Sequence, residues 1–276
     1  MITGFDTHAF VRATLAEDLG TGGDVTSAAV IPADAWLGAV LASRDAVTVA
    51  GLWLAAAFFA TLDSDAVIEI LVEEGEAVPA GTALLRVTGN ARALLAAERS
   101  ALNTVQHLTG IATLTRAYVD AIAGTGAVLL DTRKTLPGLR ILEKYATMTG
   151  GATNHRMRLD DGVMIKDNHI AVAGGVGPAV RAAKAAGLTG VVVEVDRIDQ
   201  IEPALVAGAD RLLLDNMGPP LLREAVALIA GRVPTEASGG VSLTTIRAIA
   251  ETGVTYISVG RITQSAPAAD IGLDYV

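Results

Sequence analysis

The sequence contains no cysteine, which excludes disulfide staples, thiolate metal ligands and a thiol nucleophile. It is also short of basic residues: 21 Lys and Arg stand against 30 Asp and Glu, a net charge of -9, and only four residues are lysine. That balance argues against a general nucleic-acid binder, because neutralising phosphates requires a basic surface. Long apolar runs are lacking too. The one stretch to weigh, Ala46 to Leu62, is seventeen uncharged residues, short of the ~20 needed to span a bilayer. It divides at Gly51 into a strand-like AVTVAG and a helical LWLAAAFFATL, so a buried strand and helix are expected. The start, MITGFDTHAF, has neither the basic n-region nor the apolar h-region of a secretory signal. A cytoplasmic protein with no membrane partner is the expectation. What is present is 276 residues, 51% hydrophobic and 18% charged, enough for one large or two modest domains with ample core.

Residues 1 to about 110 mix helix and strand. Asp6 is placed to cap a first helix running to about Leu19, which the Gly-rich LGTGGD ends. Strands are expected at Trp36 to Ala42, Ala46 to Ala50, Ala66 to Val72 and Thr82 to Val87, with Gly75 and Pro79-Ala80-Gly81 supplying turns. The stretch VEEGEAVPAGTALLRVTG has the look of half a biotinyl or lipoyl hairpin, but it lacks the lysine such a carrier modifies. From Ala91 to Ala123 apolar residues recur at helical spacing, and Gly110 is expected to break or kink that helix.

After Gly126 the pattern becomes regular. Short apolar runs at Ala127 to Leu130, Val163 to Ile165, Val191 to Val195, Arg211 to Leu214, Thr235 to Ala237 and Tyr256 to Val259 read as buried parallel strands. Helical stretches separate most of them: Gly138 to Thr149, Val176 to Ala186, Ile198 to Ala207, Pro219 to Ala230 and Leu243 to Glu251. Such alternation implies a parallel sheet with crossover helices, either a barrel or an open doubly wound sheet.

Charge is unevenly spread. Between Thr132 and Lys166 seven basic residues face three acidic ones, a window of +4 that leaves -13 for the rest, and three of the four lysines lie inside it. One reading is a solvated basic helix face; the other is a set of cations gathered around a small anion. The strand ends favour the second. In order they carry Asp131-Thr132-Arg133-Lys134, Lys166-Asp167-Asn168-His169, Glu194, Asp215-Asn216, Ser238-Gly239-Gly240 and Gly260-Arg261. In parallel α/β barrels the carboxyl-terminal mouth is where binding and catalysis occur.

Arg133, Lys134 and Lys166 supply fixed cations to that mouth. Ser238, Gly239, Gly240 and Gly260 suit a phosphate, because glycine lets backbone N–H groups approach an anion. Glu194 and Asp215 are able to grip sugar hydroxyls or hold Mg²⁺, or to act as a glycosidase acid and base. The surrounding cations favour a phosphorylated sugar over a neutral glycan. His155 and Arg156, in the loop GGATNHRMRLDDGV, lie between two cationic strand ends and are candidates to contact an acid. The four histidines are scattered without metal-ligand spacing.

Several of these stretches together are similar to one family. AERSALN at 97 to 103, DTRKTLPGLRILEKYA at 131 to 146, GGATNHRMRLDDGVMIKDNH at 150 to 169, VEV at 193 to 195, LLLDN at 212 to 216, EASGG at 236 to 240 and ISVGRITQSAPAADIGLDY at 257 to 275 resemble quinolinate phosphoribosyltransferase. The resemblance extends from EDLG at 17 to 20 nearly to the C-terminus. It implies an N-terminal α/β sandwich domain at 1–110, which the C-terminal tail is placed to complete. It implies an α/β barrel-like domain with fewer than eight parallel strands at 111–276. It also implies a homodimer with shared active sites.

The implied activity is a pentosyltransferase reaction. Quinolinate and phosphoribosyl pyrophosphate give nicotinate mononucleotide, pyrophosphate and CO₂ for NAD synthesis, with Mg²⁺ as cofactor. Residue by residue, Arg99, Arg133, His155, Arg156 and Lys166 match the positions that hold quinolinate, with Arg99 reaching the neighbouring subunit's site. Lys134 matches a pyrophosphate contact, Glu194 and Asp215 the ribose and Mg²⁺ region, and Ser238, Gly239, Gly240 and Gly260 the phosphate cradle. Lys134, Lys166, Glu194 and Asp215 are the catalytic candidates. Ala152, Arg158 and Gly162 depart from the usual pattern, and LGTGGDVT is slightly longer than the common form. A molybdenum-associated paralogue, a Schiff-base aldolase built on Lys166 and a non-catalytic phosphosugar binder are the competing readings.

Overall fold

The computed structural model describes residue 2 and residues 4–276. The chain forms two compact units. The first comprises residues 1–116, 141–151 and 266–276, and the second residues 117–140 and 152–265.

The first unit contains strands β1 (Trp36–Ser43), β2 (Val47–Thr48), β3 (Val67–Ile70), β4 (Ala77–Val78) and β5 (Ala83–Asn90). The second holds β6 (Val128–Leu130), β7 (Met164–Ile165), β8 (Val192–Val195), β9 (Arg211–Asp215), β10 (Thr235–Ser238) and β11 (Tyr256–Ser258), and β12 (Ile271–Tyr275) returns to the first. In the first unit an antiparallel sheet runs β12-β1-β5-β3, and β2 pairs with β4 alone. The last residues of the chain therefore complete a sheet begun at Trp36. Asp6 caps the helix Thr7–Leu19, its carboxylate accepting the Ala9 N–H at 2.9 Å. The helix Leu52–Leu62 follows Gly51 as the sequence suggests and buries Leu52, Leu54, Ala55, Phe58 and Phe59. Of these, Leu52, Ala55, Phe58 and Phe59 join Leu41, Leu84, Leu85, Val87 and Leu94 in one apolar core.

One expectation is corrected here. The helix Ala91–Ala121 continues for 31 residues through Gly110 without a break. A Cβ at Gly110 would collide with the Pro267 carbonyl oxygen, so this glycine serves close packing of the 266–276 tail. Helix-breaking propensity, about 1 kcal/mol against alanine, is too small to interrupt a helix packed along its length.

In the second unit six strands lie parallel in the order β6-β11-β10-β9-β8-β7. The order advances steadily from β7 to β11 and returns to the first strand, β6. That is the succession of a barrel; a doubly wound sheet would reverse direction within the sheet. The edges β6 and β7 do not pair, and Thr153 bridges to Leu130 beside β6. Helices separate the later strands: Val176–Ala185 and Pro219–Ile229 end one residue short of expectation, while Ile246–Ala250 keeps only five of the nine residues expected from Leu243 to Glu251. Ile198–Ala207 resolves into a 3₁₀ turn, Ile198–Gln200, and a helix, Ile201–Val206. The short helices Val25–Val30, Asp167–Val172 and Arg261–Gln264 were not expected from periodicity, being less than two turns long.

Candidate active site

Because all six strands are parallel, their carboxyl ends emerge together, and a cavity of about 730 Å³ lies there. Eleven of the twelve residues expected from sequence line it: Arg133, Lys134, His155, Arg156, Lys166, Glu194, Asp215, Ser238, Gly239, Gly240 and Gly260. The twelfth, Arg99, is an exposed residue of the helix Ala91–Ala121 in the first unit and is not among them.

Register explains the convergence. Glu194 and Glu236 both pair with Leu213, and Ser238 pairs with Asp215 two residues further on. Side chains alternate along a strand, so Glu194, Leu213 and Glu236 form one level of one face, and Asp215 and Ser238 the next level towards the mouth.

Each cation is held by local structure. Lys166 follows β7; its backbone N–H donates to His169 Nδ1 at 2.9 Å, and its Nζ donates to Glu194 Oε2 at 2.7 Å. The KDNH stretch thus fixes the chain that carries the ammonium. Asp131, fully buried, accepts the His155 N–H at 2.7 Å and the Asn154 amide at 2.6 Å. This ties the NHR stretch to the end of β6. Arg156 Nη1 donates to the Gly162 carbonyl at 2.9 Å, and a Cβ at Gly162 would press on the Arg156 side chain. Burial, aided by neighbouring Arg133, lowers the proton affinity of the Arg156 guanidinium. Arg133 Nε is itself buried without a hydrogen-bond partner. Two guanidinium groups crowded in this way favour an anionic ligand. Arg158, by contrast, is exposed and pairs with Asp160 at 2.8 Å.

The carboxylates behave differently. Burial, with the charge of Glu194, holds the Asp215 carboxyl above its ordinary range, against the pull of Lys166 and Lys134. Asn216 beside it adopts φ 54° and donates its side-chain amide to Asp215 at 2.6 Å. Its N–H donates to the Ser238 carbonyl at 2.8 Å. Gly239, at φ 89°, passes so close to Asn216 that no Cβ fits. Gly260 similarly leaves room for the Lys134 stem.

Sequence reasoning assigned no role to Glu236, Asn216, Thr132, Ser242, Arg261 or Gln264, which also line the cavity. The available signal for Glu236 was a carboxylate in the middle of a buried strand, since such a charge needs partners. Asp131 shapes the site from beneath without lining it.

Two family profiles match the chain: Quinolinate phosphoribosyl transferase, N-terminal domain, over residues 24–109, and the C-terminal domain of the same family over residues 111–274. A Nicotiana glauca protein named quinolinate phosphoribosyltransferase [decarboxylating] 2, mitochondrial, is 43% identical, covering 98% of this chain and 82% of its own. The nicotinate-nucleotide pyrophosphorylase [carboxylating] of Mycobacterium leprae is 43% identical over 96% of this chain and 95% of its own. Among solved structures, the nicotinate-nucleotide pyrophosphorylase of Ehrlichia chaffeensis superimposes with a TM-score of 0.95 at 36% identity, covering 99% of this chain and 100% of that one.

Proposed function

The chain belongs to the quinolinate phosphoribosyltransferase family, and from that premise we propose how its cavity performs the family's reaction. The protein transfers phosphoribose from phosphoribosyl pyrophosphate to quinolinate with decarboxylation, giving nicotinate mononucleotide, pyrophosphate and CO₂ for NAD synthesis. The observation that carries the assignment of roles is the gathering of cations, two carboxylates and a glycine turn in one cavity.

Quinolinate carries two carboxylates, for which Arg133, Arg156, His155 and Lys166 are the partners; guanidinium groups suit bidentate contacts. Lys134 holds the pyrophosphate, and Ser238, Gly239, Gly240 and Gly260 cradle phosphate. The ring nitrogen attacks the anomeric carbon as the bond to pyrophosphate breaks. Glu194 and Asp215 support the positive charge that develops on the sugar. N-ribosylation makes the pyridinium an electron sink: the adjacent carboxylate leaves as CO₂, and the carbanion takes a proton. Few groups exchange protons, consistent with a site built mostly from fixed charges.

Mg²⁺ fits this donor set. Glu194 and Asp215 are oxygen donors, and the raised proton affinity of Asp215 is what a divalent cation relieves. Glu194 and Asp215 would hold such an ion in the usual manner of Mg²⁺, by one or two carboxylates together with substrate phosphates. When bound, the ion would neutralise charge on the departing pyrophosphate.

No helix among the described residues is long and apolar enough to cross a membrane. We further propose a cytoplasmic location, supported by the Mycobacterium relative's name, which carries no organelle as several plant relatives' names do. A homodimer in which Arg99 serves the partner's cavity is part of the same reading, because Arg99 is exposed and absent from its own cavity's lining.

A Schiff-base aldolase is disfavoured because Lys166 is partly exposed and faces Glu194, whereas a Schiff-base lysine is activated by an apolar pocket or a neighbouring cation. The deciding experiment incubates the protein with quinolinate, phosphoribosyl pyrophosphate and Mg²⁺, with nicotinate as control acceptor. Release of CO₂ and nicotinate mononucleotide with quinolinate alone is expected; equal use of nicotinate, or no product, defeats the assignment.

A further inference from the structure

Glu236 is a carboxylate where a barrel strand would ordinarily carry an apolar side chain. It is the second residue of β10, fully buried, and it lines the cavity. Its Oε2 lies 3.3 Å from Arg211 Nη1 and 3.5 Å from His155 Nε2. Arg211 in turn stacks over the Tyr256 ring at 4.2 Å. Neither Glu236 Oε1 nor His155 Nε2 has a hydrogen-bond partner. Burial raises the carboxyl's proton affinity, but His155, with Ser258 and Arg211, outweighs it and holds the group below the usual carboxylate range.

An ion pair with Arg211 explains how this charge is tolerated but not why it faces the cavity. A buried anion there opposes binding of anionic substrates unless it acts through a neighbour. His155 is that neighbour. Its backbone N–H is committed to Asp131, and its Nδ1 accepts the Arg156 N–H at 2.7 Å. A neutral ring so arranged carries its hydrogen on Nε2, on the side facing Glu236. At 3.5 Å that hydrogen feels the carboxylate's charge without being consumed by a hydrogen bond. Of the charged side chains, Glu236 faces the ring itself, with Arg211 behind it; Asp131 meets the His155 backbone N–H, and it is the Arg156 backbone N–H that meets Nδ1.

We propose that Glu236 is a positioning residue that, together with the Arg156 N–H on Nδ1, holds the His155 ring so that its Nε2–H is a donor shared between Glu236 and a carboxylate of the aromatic dicarboxylate substrate. The inference rests on the functional reading above and adds to it a residue specific to the acceptor half of the reaction. Replacing Glu236 would weaken acceptor binding and leave the phosphoribosyl donor untouched, whereas general loosening of the barrel would affect both.

The test is steady-state kinetics on wild type, Glu236→Gln, Glu236→Asp, His155→Asn and the double variant Glu236→Gln/His155→Asn. Glu236→Gln is expected to raise KM for quinolinate about tenfold, with KM for phosphoribosyl pyrophosphate held within about twofold. Glu236→Asp, which keeps the charge but retracts it, is expected to fall between. In the His155→Asn background the Gln substitution is expected to add nothing further. Wild-type KM values in Glu236→Gln, a parallel rise for both substrates, or effects that multiply in the double variant would overturn the proposal. If Glu236→Gln does not fold, Glu236→Asp carries the same comparison. Wild-type protein is assayed first: no nicotinate mononucleotide from it defeats the functional reading and this inference together, while normal turnover with unaffected variants defeats this inference alone.

Discussion

Lys166 joins the two halves of the proposed chemistry, since its ammonium pairs with Glu194 and its position matches a quinolinate contact. Its side chain is 47% exposed, so Lys166→Ala is expected to retain fold and melting temperature while kcat/KM for quinolinate falls about a hundredfold. Unchanged kinetics would remove it from the site. Asp215 presents the opposite balance, because burial and Glu194 make its charge costly. Its raised carboxyl pKa means stability is lost as pH rises through that value. Asp215→Asn is therefore expected to melt higher than wild type at pH 7 and to turn over more slowly, the melting difference closing as pH falls to about 4. Glu236 has the reverse sign. Its folded-state pKa is depressed from 4.5, so its contribution is present above that value and lost as pH falls through the lower one. Thermal melts from pH 7 to pH 3 should show a steeper acid loss in wild type than in Glu236→Gln, and parallel curves would refute the depression.

Two turns and one helix show how backbone spacing is spent on the site and on the core. At Gly239 a methyl group would strike the Asn216 amide and backbone nitrogen, and the backbone is left-handed as well. At Gly260 it would crowd the flexible Lys134 stem and come within ordinary contact of the Thr132 and Gln264 side chains. Gly239→Ala should therefore raise KM for phosphoribosyl pyrophosphate and lower stability. Gly260→Ala should disturb the same KM with little change in melting temperature. Equal stability loss in both would contradict this distinction. In the helix Ala91–Ala121, Gly110→Ala gains about 1 kcal/mol of helix propensity but forces the Pro267 carbonyl aside, at a cost of about 1–3 kcal/mol or more. Net destabilisation is expected in denaturant titrations, with faster amide exchange in β12, which follows that contact.

The two units divide the labour along an interrupted chain. The first takes residues from three separate stretches, while the second holds every residue lining the cavity. The proposed sharing of sites between subunits makes a quantitative prediction. Arg99→Ala and Lys166→Ala proteins, each weakly active, should regain about a quarter of wild-type activity when mixed and reassembled at equal amounts, because half the dimers are hybrids with one intact site. No recovery would place Arg99 outside the partner's cavity. The net charge of -9 does not oppose this function. The +4 window contributes Arg133, Lys134, Arg156 and Lys166 to the cavity, and local cations outweigh a screened average charge at ligand distances.

Much of this was legible in the chain itself. The alternation after Gly126 specified parallel strands and crossover helices, and the polar and glycine residues ending those strands, with His155 and Arg156 from the loop before β7, supplied eleven members of the cavity. Such features are local: a strand's apolar run and the residues that terminate it are neighbours in sequence. Three matters were not local. Whether six strands follow a barrel's succession depends on β6 lying beside β11, a pairing across more than a hundred residues. Gly110 reads as a helix breaker until the tail at Pro267 packs against it. Glu236 reads as one charge in a short strand until His155 and Arg211 are brought to the same oxygen. Sequence spacing encodes periodicity and chain ends, whereas the meaning of a buried charge or a missing side chain lies in what distant segments press against it.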